Sequence, residues 1–111
     1  MKKLGFGMMR LPLLNADDPK SVDIAEVCRM VDSFMARGFT YFDTAYMYHQ
    51  FYSEEVVRQA LVERYPRESF QLADKLPSMF LKKEGDQERI FAEQLEKCGV
   101  DYFDYYLVHS L

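Results

Sequence analysis

The chain predicts an α/β fold with a parallel sheet, organised as a slice of a (β/α)8 barrel. Strand-like runs alternate with amphipathic helical stripes in the order strand, helix, strand, helix, strand, helix, strand. Alternation of this kind gives parallel sheets with right-handed crossovers. The strand ends, taken as Met9, Asp43, Lys75 and His109, follow one another at intervals of 34, 32 and 34 residues. That is the length of a strand–helix–strand unit. Parity then separates the barrel from a doubly wound sheet. In the third strand Gln71, Ala73 and Lys75 share one face, and Phe70 and Leu72 share the other. A polar and small face suits a barrel interior near its mouth, and an apolar face suits the helix layer.

The first strand, 3–9, contains Gly5-Phe6-Gly7-Met8-Met9-Arg10. A doubly wound nucleotide fold would place a glycine-rich turn here, opening a helix. The third glycine is absent, and Leu11-Pro12 plus a polar loop follow. The glycines are therefore read as allowing close backbone approach. The first helix shows Ile24, Val27, Cys28, Val31, Phe34 and Met35 on one stripe. Asp23 is its expected cap, with Glu26 completing a capping-box-like pair and Gly38 stopping it. Thr40-Tyr41-Phe42-Asp43 forms the second strand. The second helix, 53–64, takes Ser53 as N-cap, buries Val57, Ala60 and Leu61, and ends before Pro66. Phe70-Gln71-Leu72-Ala73-Asp74-Lys75 is the third strand. Asp86 opens the third helix, whose stripe is Ile90, Phe91, Leu95 and Cys98, and Gly99 closes it. Tyr105-Tyr106-Leu107-Val108-His109 is the fourth strand.

With 111 residues, 49% of them hydrophobic, the chain is one globular domain-sized piece. A closed barrel needs about 250 residues and eight strands. The expectation is therefore a single truncated domain, 1–111. A net charge of −4 argues against a nucleic-acid partner. No apolar run reaches the roughly 20 residues of a membrane span, and the start does not read as a signal peptide. The expected location is the cytoplasm. Cys28 and Cys98 lie on apolar helix faces, without neighbours at metal-ligand spacing, and read as small core hydrophobes. No metal is expected.

Three of the four strand ends bring polar groups to one rim, where α/β folds place their active sites. Asp43, Lys75 and His109 end strands, and Tyr48 follows the second within five residues. Singly each has a plain explanation: a loop cap, a surface charge, a core histidine, a half-buried aromatic. An acid, an amine, an imidazole and a phenol sharing one rim at one period point to chemistry.

These residues resemble a known family. Gly38-Phe39-Thr40-Tyr41-Phe42-Asp43-Thr44-Ala45-Tyr46-Met47-Tyr48, with Ser53-Glu54-Glu55 after it, is similar to the aldo-keto reductases. So are Leu4-Gly5-Phe6-Gly7-Met8-Met9-Arg10-Leu11-Pro12, Leu72-Ala73-Asp74-Lys75 and the run from Gly99 to His109. The resemblance covers essentially the whole chain, as the N-terminal half of a (β/α)8 TIM barrel. It is strongest to the branch whose members carry a C-terminal iron–sulfur domain, and any such cluster would lie in that region.

The resemblance implies reduction of aldehydes and ketones by hydride transfer from NADPH, with NADH as the alternative. Tyr48 would be the general acid, Lys75 would lower its pKa, and Asp43 would hold Lys75 charged. His109 would hydrogen-bond the substrate carbonyl, so that Tyr48 and His109 bind substrate. Gly7, Met8 and Met9, with Asp43, would touch the nicotinamide. Two departures stand out: many members carry a hydroxyl residue where Met8 stands, and often glycine where this chain reads His49-Gln50-Phe51-Tyr52. The expected partners are a small carbonyl substrate and either the missing C-terminal half of the barrel or a second copy. Alone, the piece is expected to be inactive. The competing reading is a non-catalytic cofactor-binding or regulatory module on the same scaffold, and a third is a structural half-barrel that homodimerises.

Overall fold

The computed structural model describes residues 5–109, with side chains through Val108. Lys3 and Leu4, assigned to the first strand from sequence, lie outside the described residues. Four strands form one sheet: β1 (Gly5–Gly7), β2 (Tyr41–Asp43), β3 (Gln71–Pro77) and β4 (Tyr105–His109). All neighbouring pairs are parallel, and the spatial order is β1-β2-β3-β4. A doubly wound sheet reverses direction of winding at a switch point; here each strand is added to the same edge, as in a barrel.

The register fixes which residues share the open face. Gly5 aligns with Tyr41 and Gln71, while Gly7, Asp43, Ala73 and Tyr105 form the next layer. Lys75 aligns with Leu107 and Pro77 with His109. Gly5 is needed for close approach, because a Cβ there would sit 3.0 Å from the Tyr41 ring. The opposite face carries Phe6, Phe42, Leu72 and Leu76 toward the helices.

Helix α1 (Ile24–Ala36) begins where Asp23 accepts the Glu26 amide at 3.1 Å. Only this half of the capping box forms: the Asp23 amide donates to the Pro12 carbonyl instead, and the Glu26 carboxylate binds Arg29. Its stripe buries Val27 and Val31 against Phe42 and Leu72, with the Phe34 ring edge-on to Phe6 and Phe42. Helix α2 (Ser53–Val57) widens into a π-helical turn, Arg58–Val62, that places Ala60 and Leu61 in the same core. Each fully buried Val, Leu or Phe contributes about 1.5–3 kcal/mol relative to exposure. Arg64 binds both oxygens of Asp32 at 2.8 and 2.7 Å, tying the segment after α2 to α1. Helix α3 (Asp86–Cys98) ends as expected at Gly99, whose φ of +74° is the left-handed conformation glycine adopts freely. Cys98 is buried and Cys28 half-buried, both reduced and packed on the core.

One expected helix start is corrected. Ser53 is not an N-cap: its side chain is buried inside the helix, where its hydroxyl meets Thr44 Oγ1 at 2.8 Å and donates to the Met8 carbonyl at 3.3 Å. Asp86 opens α3 as expected, and its carboxylate also accepts the amides of Lys82 and Lys83, at 2.9 and 3.0 Å, closing the loop before the helix. Among the described residues no helix is long and apolar enough to cross a membrane.

Candidate active site

β2 and β3 deliver the first two site groups directly. Asp43 and Lys75 lie on the open face two residues out of register, and the long lysine side chain spans that offset to place Nζ 3.2 Å from Asp43 Oδ1. Both side chains are partly shielded, at 22% exposure for Lys75 and 29% for Asp43. The Lys75 ammonium also lies 5.4 Å from the centre of the Tyr48 ring. Burial alone would lower the Lys75 pKa; the neighbouring Tyr48 and the Asp43 carboxylate outweigh it, and the net shift is upward. Lys75 therefore stands between two of the other three rim residues anticipated from sequence, paired with Asp43 and near the Tyr48 ring. His109 ends β4 opposite Pro77, and its side chain lies outside the described residues.

The tyrosine two positions earlier is excluded from this cluster by its partners. Tyr46 points into the helix layer, donates to Glu93 Oε2 at 2.9 Å, and is pushed up to about 12 by burial and that bond. Tyr48 alone of the pair meets the ammonium.

The end of β1 divides the residues expected to face a cofactor. Gly7 lies beside Asp43, with Oδ1 3.9 Å from where a Cβ would stand. Met9 is 56% exposed. Met8, by contrast, is fully buried in the core between the sheet and helices. Strand alternation sends it to the helix face, so its side chain does not reach the open face with Gly7 and Asp43.

Tyr48 stands at the head of an unusual turn, Tyr48–Phe51. His49, Gln50 and Phe51 have φ of 53°, 53° and 72°, in the left-handed region. For residues with a Cβ this costs roughly 1–2 kcal/mol each. Here lies the physical consequence of the glycine-free sequence after Tyr48.

Behind β3 lies a buried polar cluster that the sequence reading did not identify. Asp74 alternates onto the helix face with Leu72 and Leu76 and is completely buried. Ligand atoms of Glu54, Asp74 and Cys98 lie within 4.8 Å of one another. Burial first, then hydrogen bonding to Glu54 and its charge, hold the Asp74 carboxyl well above the usual range. Both Glu54 oxygens are buried without a hydrogen-bond partner, and the Lys97 ammonium lies 3.5 Å from Oε1. The signal for this cluster was the period-two pattern itself, which puts Asp74 on the apolar side of β3.

The profile of the Aldo/keto reductase family matches residues 3–111. A probable aldo-keto reductase 1 from Glycine max is 32% identical over 119 residues, covering 100% of this chain and 33% of that protein. The crystal structure of an aldo-keto reductase from Klebsiella pneumoniae in complex with NADPH superposes with a TM-score of 0.74 at 28% identity, over 95% of this chain and 34% of that one. A Klebsiella pneumoniae aldo/keto reductase structure with NADP and acetate gives 0.73 at 27%, over 95% of this chain and 34% of that one. The chain spans about a third of the length of these relatives. Its four strands match the N-terminal part of their barrels. Sequence and strand order agree along nearly all of its length, and the chain belongs to the aldo/keto reductase family.

Proposed function

We propose that this chain supplies the proton-donating side of an NADPH-dependent carbonyl reductase, with Tyr48 as general acid. The observation that carries the reading is Lys75, whose ammonium joins Asp43 to Tyr48. The NADP-bound relatives support the choice of cofactor. Gly7, Met9 and Asp43 would face the nicotinamide ring; the exposed strand end at Gly7, bare of a side chain, fits a flat group laid across it. NADPH, when bound, supplies the hydride that reaches the carbonyl carbon. Tyr48 passes its phenolic proton to the carbonyl oxygen, leaving a phenolate that the Lys75 ammonium stabilises and an alcohol as product. Asp43 holds that ammonium charged and aimed. His109 is assigned the hydrogen bond that orients and polarises the carbonyl.

The 111-residue polypeptide by itself is expected to lack turnover, since it has about a third of its relatives' length. The test joins it to the remaining strands of the Klebsiella pneumoniae reductase and follows NADPH oxidation with an aromatic aldehyde. Turnover is expected in the graft and not in the free chain. Tyr48→Phe should lower kcat on the order of a hundred- to ten-thousandfold. A Tyr48→Phe graft that keeps its rate would refute the acid assignment. Cofactor binding without turnover in every context would favour the regulatory module instead.

A further inference from the structure

The left-handed turn after Tyr48 is built from three non-glycine residues in succession, His49, Gln50 and Phe51. Local preference does not sustain such a turn, so the surroundings must impose it. At its far end the Phe51 carbonyl accepts Lys97 Nζ at 2.5 Å, and the Phe51 ring packs edge-on to Tyr46 and Phe80. At its near end, adjoining Tyr48, the tether is the His49 ring. The Leu11 backbone N–H donates to Nε2 at 3.1 Å, and Nδ1 lies 2.9 Å from the Pro19 carbonyl. An amide can only donate and a carbonyl can only accept. A single neutral form, protonated at Nδ1 and bare at Nε2, satisfies both contacts.

The anchor on the other side is itself ordered. Leu11 is buried, Leu13 and Val22 form an antiparallel bridge, and Asp23 N–H donates to the Pro12 carbonyl at 2.8 Å. The same connection starts from the β1 end that carries Gly7 and Met9. We propose that His49 is a positioning residue: it clamps the turn behind Tyr48 to the β1–α1 connection and so keeps Tyr48 beside Lys75. The clamp does through a side chain what glycine cannot do, because glycine permits the left-handed backbone but does not hold it in place. The proposal rests on the reading of Tyr48 as the acid only for its catalytic consequence.

Ring 15N NMR of the 111-residue chain should show His49 as the Nδ1-protonated tautomer. His49→Gly accepts the same φ without penalty and removes both hydrogen bonds. With tyrosine 13Cζ labelling, it should shift the Tyr48 resonance, assigned through Tyr48→Phe, and leave that of Tyr41 in place. In the graft described above, His49→Gly should lower kcat roughly ten- to a hundredfold with KM for NADPH little changed. His49→Gln, which offers an acceptor and a donor on one planar amide, should recover part of the loss. The opposite tautomer, an unmoved Tyr48 signal, or an unchanged kcat in His49→Gly would each overturn the clamp. If Tyr48→Phe left turnover intact, the reductase reading would fail separately, while the two NMR readouts would still judge the clamp.

Discussion

A carboxyl group sealed from water keeps its proton unless a cation compensates it, and Asp74 is sealed behind β3. Its sign in a stability balance follows from the upward shift. Below the unfolded-state value, near 3.9 for aspartate, the group is protonated in both states and costs nothing. As pH rises past that value the unfolded chain gives up the proton and the folded chain does not, so stability falls with pH. Asp74→Asn keeps an acceptor for the Lys75 amide, now 2.8 Å from Oδ1, and offers an N–H toward Glu54. The variant should therefore be more stable than the parent at pH 7 by on the order of 1 kcal/mol, and the advantage should vanish near pH 4. Urea midpoints at the two pH values measure this; an Asn variant weaker at pH 7 would mean that Asp74 is ionised in the fold. Single residues were also the scale at which the sequence was most uneven. The pairing of Asp43 with Lys75 was legible because strand ends and period two are local signals, whereas Tyr48, beyond the strand, was singled out by its motif. Glu54 and Cys98 became partners of Asp74 only through the packing of α2 and α3 against β3, a contact that no local pattern records.

Elements were legible wherever their ends obey chain-local chemistry. Asp23 capping α1 and Gly99 ending α3 are of this kind. The start of α2 is not, because tertiary bonding overrides the capping preference of serine. Ser53 spends its hydroxyl on Thr44 and Met8, tying the helix to the ends of β2 and β1. The two roles predict different mutant series. A serine that merely caps a helix is replaced by glycine at a cost of a few tenths of a kcal/mol. A buried cross-link loses more, since Thr44, also fully buried, is left with an unmet hydroxyl. Ser53→Ala and Ser53→Gly should each destabilise by about 1–3 kcal/mol in chemical denaturation. A glycine variant within a few tenths of the parent would restore the cap reading. The turn after Tyr48 escaped prediction for a related reason: His49 holds it through partners 38 and 30 residues distant in sequence.

For the whole molecule, the winding order and the four-strand count were readable from spacing, and the one-sided sheet they create sets its colloidal behaviour. Tyr105 and Leu107 are 54% and 57% exposed on the open face of β4, and Met9 is 56% exposed beyond β1. Among the described residues β1 and β4 each pair on one side only, leaving rows of unmatched backbone donors and acceptors. Strand edges and apolar faces in this state recruit further chains. The 111-residue polypeptide should therefore self-associate, and sedimentation velocity should show its mean mass rising with concentration. Placing a charge in the centre of that face opposes association, because the ammonium would have to be desolvated or paired to enter an interface. Leu107→Lys should weaken self-association roughly tenfold or more, equivalent to about 1.4 kcal/mol. It should leave helix content unchanged, since Leu107 points away from the helix layer. A chain that sediments as a monomer at every concentration would show that its edges are quiet without a partner, and the half-barrel dimer would then be ruled out.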